Sequence, residues 1–166
     1  MSEMIQNGEI SWKFAAFDAL SLTELYDLLQ LRSEVFVVEQ ACVFQDMDGA
    51  DAAALHLLGT SGSQLVAYAR CFAAGMKFKE ASIGRIITRS ALRGSGAGHV
   101  LVRRAIDSIT QQWGPQAIRI GAQARLEHFY RQHGFEKTGE PYIEDGIPHI
   151  EMLRPPSFLP SRSFKT

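Results

Sequence analysis

The residues with the clearest potential for chemistry form one short glycine-rich stretch, Arg93-Gly94-Ser95-Gly96-Ala97-Gly98. This stretch lies between an apolar run typical of a strand and a longer segment with helical periodicity. Glycine lets the backbone curl so that successive amides point into one concavity, and the start of a helix adds partial positive charge. The stretch therefore predicts a binding site for a diphosphate group.

Other kinds of glycine-rich loop fit these residues less well. A Walker A loop needs a lysine after its last glycine, whereas Gly98 is followed by His99. A dinucleotide-binding loop needs a third glycine at the position of His99. A tight turn without a ligand is the remaining alternative, although three glycines in five residues exceed what a turn needs.

The elements around this loop predict an α/β (α+β) protein with a mixed, mostly antiparallel sheet of about six to seven strands flanked by helices. Helical spacing predicts three helices, and a capping box at Ser21 and Glu24 marks the start of the first one. The pair Asp145-Gly146 indicates a hairpin turn. The predicted strands are 9–14, 54–60, 64–73, 81–88, 117–123, 135–143 and 147–153, and the predicted helices are 22–36, 96–112 and 125–133.

Length and composition limit the class of protein. The 166 residues fit a single domain, expected at 1–154 and followed by an irregular, proline-containing tail at 155–166. The formal net charge of −1 indicates no nucleic-acid or membrane partner, and no apolar run approaches the length of a membrane span. Residues 1–7 lack the apolar core of a secretory signal, so we expect a cytoplasmic protein.

Residues 86–98 resemble motif A of the GNAT superfamily of N-acetyltransferases, whose signature Gln/Arg-x-x-Gly-x-Gly/Ala is met by Arg93, Gly96 and Gly98. Residues 123–135 resemble motif B of the same superfamily. The segments VFVVEQ, GAQA and EDGIPH, at 35–40, 121–124 and 144–149, further resemble the ElaA-like branch. The resemblance extends over about residues 9–154 and implies the GNAT acyl-CoA N-acyltransferase fold.

This resemblance implies that acetyl-CoA is the acyl donor, and it assigns roles to individual residues. The strand end formed by Ile86, Ile87 and Thr88 is expected to run along the pantetheine arm. One of its backbone amides is expected to polarise the acetyl carbonyl. The residues expected to hold the diphosphate are Arg93, Gly94, Ser95, Gly96, Ala97, Gly98 and His99. Gln123 is expected near the cofactor, and Tyr130 beside the CoA sulfur.

Elementary chemistry agrees with such a role for Tyr130. Attack of an amine on a thioester forms an oxyanion, which needs a fixed donor, and expels a thiolate, which a phenol can protonate. Direct transfer within a ternary complex then requires no protein nucleophile. The alternative interpretation of Tyr130 is a core aromatic residue on a short amphipathic helix.

The proton released by the amine needs an acceptor, because a free alkylamine is mostly protonated at neutral pH. Some members of the superfamily carry a glutamate on the strand after motif A, but residues 117–120 contain no carboxylate. Glu39 is the first candidate because it follows an apolar run beside the expected substrate cleft. His149 is the second candidate and His56 the third. For each of them, a structural hydrogen bond or a solvated side chain is the alternative.

Two arginines in or beside predicted strands, Arg70 and Arg85, need partners because a lone buried charge is costly. We expect them to pair with Glu39, Asp46 or Asp48. The alternative is that they line a pocket for an acidic substrate.

No metal site is expected. The three aspartates within 46–51 have a spacing similar to that of a calcium loop, but Leu57 stands where that loop requires glutamate. Cys42 and Cys71 are too few and too far apart for a zinc site. Both are expected to be small buried apolar groups in a reducing compartment.

Three classes of function remain open: an amine N-acetyltransferase, a non-catalytic acyl-CoA-binding regulatory module, and a structural interaction domain that keeps only the fold. Retention of Arg93, Gly96, Gly98 and Tyr130 favours the enzyme over the structural domain. The acceptor is expected to be a small-molecule or protein amine. Exposed sheet edges in such a fold are compatible with a homodimer.

Overall fold

One sheet with helices on both faces organises the part of the chain that the structure describes. The structure is a computed structural model that describes residues 9–156. The strands are β1 Ser11–Ala16, β2 Leu55–Ser61, β3 Gln64–Phe72, β4 Ala81–Thr88, β5 Ile118–Gln123, β6 Glu136–Glu144 and β7 Ile147–Arg154. The α-helices are α1 Leu22–Arg32, α2 Ala97–Trp113 and α3 Glu127–Arg131. A π-helical segment at Ser33–Glu39 continues α1 directly.

The strand order confirms the predicted fold class. The seven strands lie in the order β1-β2-β3-β4-β5-β7-β6, and neighbours are antiparallel except for the parallel pair β4 and β5. Two helices differ from their predicted extent. The first was expected to remain regular to Phe36 but becomes π-helical after Arg32. The helix α3 has only five residues because a 3₁₀ turn, Ala124–Leu126, precedes it.

Local sequence signals explain where two key elements begin and end. The Glu24 amide donates to the Ser21 hydroxyl over 3.0 Å and the Ser21 amide donates to the Glu24 carboxylate over 2.9 Å, which confirms the capping box of α1. Between β6 and β7, Asp145 and Gly146 have φ of 49° and 76°. Two positive φ values define the two-residue hairpin turn that an Asp-Gly pair favours.

Each face of the sheet packs against a different helix. On one face α2 contributes an apolar stripe that includes Leu101, Ala105 and Ile109, all of them buried. On the other face, Leu28, Leu31 and Val35 from α1 and its continuation form a second cluster. Because both helices are anchored by buried apolar area, the loops at their ends have fixed positions relative to the sheet.

The strands β4 and β5 separate soon after they pair. Their parallel pairing is limited to Ala81 with Ile118 and Ser82 with Arg119. An extra residue in β4 shifts its register with β3, and Arg85 has a φ of 48° at that bulge. The bulge reverses the side-chain alternation, since Ile83 packs in the α2 cluster and Ile87 in the α1 cluster. The separation leaves an opening in the middle of the sheet.

Several further expectations concern the surface and the tail. Cys71 is fully buried as predicted, but the prediction for Cys42 is wrong, because its position in a loop leaves it partly exposed. Within residues 9–156, no helix is both long and apolar enough to cross a membrane. Pro155 and Pro156 are exposed after β7, whereas Pro160 and the rest of the predicted tail lie outside the described residues. The division at 154 stays a prediction.

Candidate functional site

The opening between β4 and β5 is a cleft of about 1340 Å³. It extends from the glycine-rich loop before α2 to the β6–β7 hairpin. Sites for single small molecules usually measure about 300–1,000 Å³. The cleft is therefore larger than most sites for one small molecule.

Most of the predicted site residues meet in this cleft. The predicted residues that line it are Glu39, Ile86, Ile87, Thr88, Arg93, Gly94, Gly96, Gly98, His99, Gln123, Tyr130 and His149. Ser95 and Ala97 are not among the lining residues; the Ser95 hydroxyl instead accepts a hydrogen bond from the Ala97 amide over 3.3 Å and shapes the loop. The cleft thus joins segments that are more than a hundred residues apart in the sequence.

The glycine-rich loop has the backbone that its glycines require. Gly94 and Gly96 have φ of 83° and 87°, in the left-handed region that other residues avoid. Gly96 is the N-cap of α2 and has no side chain to cap the helix, and the Ser95 hydroxyl accepts only from the Ala97 amide. The next two amides, of Gly98 and His99, have no intrahelical acceptor, so this end of α2 is suited to an anion.

Arg93 connects this loop to the end of the π-helical segment. Its guanidinium forms a two-pronged ion pair with Glu39, one prong of which is 3.0 Å long. The hydrogen bonds from Arg93 lower the pKa of Glu39. A carboxylate with a lowered pKa is a weaker base, so this pairing disfavours Glu39 as proton acceptor.

His99 is held by two aromatic neighbours at the start of α2. Its Nδ1 lies 2.9 Å from Nε2 of His133, and its ring is 4.6 Å from that of Phe129. Burial, together with the charge of His99, lowers the pKa of His133 to about 4. His133 is therefore neutral near pH 7 and can share a proton with His99.

Tyr130 combines a ring in the core with a hydroxyl that opens onto the cleft. Its ring is 6% exposed and packs edge-on against Phe129 and Phe135, at 5.1 and 6.0 Å. No described residue makes a hydrogen bond to its hydroxyl, although the residue lines the cleft. Burial raises the pKa of Tyr130, so the phenol is neutral and is able to donate a proton. The hydroxyl is not among the fully buried polar atoms without a partner, so it opens onto the cleft, where a ligand can reach it.

His149 lies on β7, which is between β5 and β6 in the sheet. It is opposite Gln123 on β5 and Tyr142 on β6. Its Nδ1 is 2.7 Å from the Ile147 carbonyl oxygen. A carbonyl only accepts hydrogen bonds, so Nδ1 carries the proton and Nε2 has the free lone pair. The His149 ring also stacks on Tyr142 at 5.8 Å, which fixes its orientation.

His56, the third candidate base, lies outside the cleft and is fully buried. Its Nε2 is 2.8 Å from the Asp51 carbonyl oxygen, and its Nδ1 is 2.6 Å from the Tyr68 hydroxyl. Both ring nitrogens are thus engaged by the protein, and burial lowers the pKa of His56. Its contacts are those of a structural residue.

A network of three arginines and three aspartates holds the loop that forms one wall of the cleft. Arg70 pairs with Asp48 and Arg85 with Asp46, as expected. Arg70 also pairs with Asp51, which was not predicted, and neither arginine pairs with Glu39. The third member, Arg32, was not predicted. It is fully buried, and its Nε and Nη1 lie 2.8 and 2.7 Å from the carboxylates of Asp46 and Asp51. An arginine at a core-facing position of α1 was the available sequence signal.

This network should make folding sensitive to the loss of one carboxylate. Replacing Asp51 with asparagine leaves Arg32 and Arg70 each short of an anionic partner, and we expect the free energy of unfolding to fall by about 3 kcal/mol. Urea denaturation at pH 7 measures this change. Asp18→Asn, at an exposed position, is the control and should cost less than about 0.5 kcal/mol. Equal stability of the two variants would contradict a structural role for the network.

The same network predicts acid sensitivity. Hydrogen bonds from Arg70 lower the pKa of Asp48, and for Asp51 burial acts to raise the pKa but is outweighed by Arg32 and Arg70. A carboxylate with a lowered pKa in the folded state stabilises that state above its unfolded pKa of about 3.9. The stabilisation is therefore expected to decline as the pH falls below about 4.

Within residues 9–156, no group of three or more potential ligands is arranged to hold a metal ion.

Two further residues that line the cleft, Tyr142 and Gly121, were missed by sequence reasoning. Tyr142 reaches across β7 to β5, because a Cβ on Gly121 would lie 2.9 Å from its hydroxyl. Gly121 thus leaves the space that the phenol occupies. The Asp-Gly hairpin could have indicated this, since it sets the register that places Tyr142 opposite His149.

Comparisons with known proteins agree with this geometry. The sequence profile described as an acetyltransferase (GNAT) domain matches residues 24–154. Protein ElaA of Escherichia coli is 44% identical over 147 residues, which cover 87% of this chain and 96% of ElaA.

Two solved structures are also similar. The crystal structure of Escherichia coli ElaA has a TM-score of 0.83 at 42% identity, covering 88% of this chain and 99% of that one. An acyl-CoA N-acyltransferase from Pseudomonas aeruginosa has a TM-score of 0.82 at 41% identity, covering 87% and 99%. With the profile match over most of its length, the chain belongs to the GNAT acetyltransferase family, and ElaA is among its relatives.

Proposed function

We propose that this protein is an N-acetyltransferase that moves an acetyl group from acetyl-CoA to a primary amine within a ternary complex. The observation that carries the proposal is the Tyr130 hydroxyl, which has no hydrogen-bond partner among the described residues and lines the same cleft as the N-terminus of α2, where the Gly98 and His99 amides have no intrahelical acceptor. One end of the cleft suits a diphosphate and its middle holds a proton donor. These are the two features that transfer from a CoA thioester requires.

The donor would lie along the inner edge of β4. Its diphosphate would accept hydrogen bonds from the first amides of α2, with Arg93 nearby, and its pantetheine would follow Ile86–Thr88. After Ser82 this edge of β4 is not paired with β5, so its amides are available to the pantetheine and the acetyl carbonyl. An amide fixed in this way would stabilise the oxyanion as the amine attacks.

The transfer then proceeds with a simple balance of protons. The neutral amine nitrogen forms a bond to the thioester carbon, and the collapse of the tetrahedral intermediate breaks the carbon–sulfur bond. The proton lost by the amine nitrogen goes to a base, and the departing thiolate takes a proton from the Tyr130 phenol. Both groups are restored when the proton on the base passes through solvent to the phenolate. Neither step uses a covalent intermediate with the protein.

His149 is the better candidate for the base. Glu39 is committed to Arg93, and its lowered pKa makes it a weaker proton acceptor. The Nε2 of His149 has a free lone pair because Nδ1 donates to Ile147. The carboxylate of Glu144, 3.7 Å from Nε2, would stabilise the imidazolium that forms.

Replacing His149 with glutamine should lower kcat/KM by about 100-fold at neutral pH, because proton transfer by a positioned base contributes at least that much. Glu39→Gln is the companion variant and should keep most of its activity. A comparable loss in Glu39→Gln, with near-normal activity in His149→Gln, would assign the base to Glu39 instead.

Two measurements separate this proposal from the other function classes. Acetyl-CoA should raise the melting temperature, because a ligand that binds only the native state stabilises it. Release of free CoA thiol should then accelerate when primary amines are added. A thermal shift without amine-dependent thiol release would indicate an acyl-CoA-binding regulatory module, and no shift at all would indicate a domain that keeps only the fold.

A further inference from the structure

The cleft has a distinct chemistry at the end away from the glycine-rich loop, which we call the acceptor end. It comprises Phe44, Tyr142, Glu144, Asp145, His149 and Glu151. Residues 147, 149 and 151 alternate along β7 with the buried Ile150 and Met152, so they share the face that borders the cleft. If the proposed function holds, this end receives the amine, and its side chains determine which amines fit.

An aromatic surface lines part of the acceptor end. Tyr142 lies flat enough to stack on His149, with 27° between the rings, and its hydroxyl reaches over Gly121. Phe44 lines the same cleft from the loop that the arginine–aspartate network holds. Cys42 closes the wall between them, since its Sγ lies 3.2 Å from the Asp145 carbonyl oxygen. Such a surface favours a flat or apolar body over a strongly hydrated one.

The carboxylates at this end are incompletely neutralised. Among the described residues, no arginine or lysine lies within ion-pair distance of Glu144 or Asp145. Glu151 shares the guanidinium of Arg119 with Glu80. This arrangement attracts a cationic ligand.

The cations that line the cleft are mostly engaged elsewhere. Arg85 is paired with Asp46, and Arg93 with Glu39. Arg125 donates to the Gln123 side chain. Lys77 is the one lysine among the residues that line the cleft; its ammonium lies 5.7 Å from the centre of the Phe78 ring and interacts electrostatically with Glu144 and Asp48. A carboxylate on the acceptor would therefore find no unpaired guanidinium among the described residues that line the cleft, and it would compete with Glu144 for Lys77.

The Tyr130 side chain provides an independent indication that this cavity takes a polar ligand. It is more than nine-tenths buried, it lines the same cleft, and its hydroxyl has no hydrogen-bond partner among the described residues. We infer that the acceptor is a cationic primary amine on an aromatic body, without a carboxylate. This inference rests on the proposed function and adds the class of substrate.

The test compares three amines at a fixed acetyl-CoA concentration. Phenethylamine should have a kcat/KM at least about 100-fold higher than that of phenylalanine, because juxtaposed like charges cost several kcal/mol. It should exceed butylamine by at least about tenfold, because an aromatic ring adds contact area against Tyr142 and Phe44. Equal or better use of phenylalanine, or of butylamine, would overturn the inference.

Matched variants locate the effect. Glu144→Lys should lower kcat/KM for phenethylamine at least tenfold more than for phenylalanine, since it replaces a carboxylate at the acceptor end by an ammonium. Glu136→Lys makes the same change on β6 at an exposed position outside the cleft and should leave both values unchanged. Lys77→Met should not weaken the use of phenethylamine. An equal response of both substrates to Glu144→Lys would also overturn the inference.

Failure of the inference and failure of the proposed function give different results. If acetyl-CoA raises the melting temperature but no amine accelerates thiol release, the enzyme proposal fails. If amines accelerate thiol release but phenethylamine, phenylalanine and butylamine are used equally well, the enzyme proposal stands and only the substrate class is wrong.

Discussion

Replacing Gly96 with aspartate should raise the dissociation constant for acetyl-CoA at least about 100-fold, which is about 2.7 kcal/mol. Gly96 is the N-cap of α2 with a φ of 87°, and a Cβ placed there would meet no heavy atom within 4 Å. The Cβ of the new side chain therefore has open space. It would nevertheless occupy the positive end of the helix, where the CoA diphosphate is proposed to bind.

The stability of the protein should change much less than its affinity for the donor. An anion at a helix N-terminus is stabilising by about 0.3–1 kcal/mol, which partly offsets the about 1–2 kcal/mol cost of left-handed backbone for a residue other than glycine. Isothermal titration calorimetry with acetyl-CoA, alongside thermal unfolding, measures the two quantities separately.

Gly62→Asp is the matched control. Gly62 also has a positive φ, of 60°, and open space around it, but it lies in the β2–β3 hairpin, outside the cleft. This variant carries the same charge and similar backbone strain and should bind acetyl-CoA normally. If Gly96→Asp also kept its full affinity, the diphosphate would not bind at α2 and the proposed function would lose its basis.

Replacing Tyr130 with phenylalanine should lower kcat by at least about 100-fold while the dissociation constant for acetyl-CoA stays within about twofold. The substitution removes one hydroxyl and keeps the ring that packs against Phe129 and Phe135. Without that hydroxyl, the thiolate departs with no proton donor, so the barrier to breaking the carbon–sulfur bond rises. Stopped-flow or steady-state detection of free thiol measures kcat.

The effect on stability distinguishes this tyrosine from a structural one. The Tyr130 hydroxyl has no partner among the described residues, so its removal should not destabilise the fold. Tyr68→Phe is the contrasting variant, because the Tyr68 hydroxyl lies 2.6 Å from His56 in the core. It should cost about 1 kcal/mol of stability and leave kcat unchanged. Unchanged turnover in Tyr130→Phe would remove Tyr130 from the mechanism.

Local patterns made much of the fold predictable. The capping box at Ser21 and the Asp145-Gly146 turn depend on residues within a few positions of each other, and the structure contains both. The glycine-rich loop was equally readable because its backbone freedom is encoded in its own residues. Its positive φ values at Gly94 and Gly96 follow from residue type.

The partners of charged and aromatic side chains were harder to predict. The sequence offered Arg70 and Arg85 a choice of acidic partners, and the actual pairings depend on how the loop before β2 folds back over the sheet. The sequence favoured Glu39 as the base, whereas the structure shows that its carboxylate forms an ion pair with Arg93. These contacts join residues that are tens of positions apart, so neither periodicity nor spacing specifies them.

The sequence by itself determined the order of strands and helices along the chain, the glycine-rich loop and the family, because each of these depends on local residue types and their spacing. Only the tertiary structure decided that the Tyr130 hydroxyl has no hydrogen-bond partner within residues 9–156, that the Ile147 carbonyl leaves Nε2 of His149 with the free lone pair, and that Tyr142 crosses Gly121. Hydrogen bonds and close packing act over a few ångströms between distant segments. Their geometry exists only after β4 and β5 have separated and the hairpin has closed beside them.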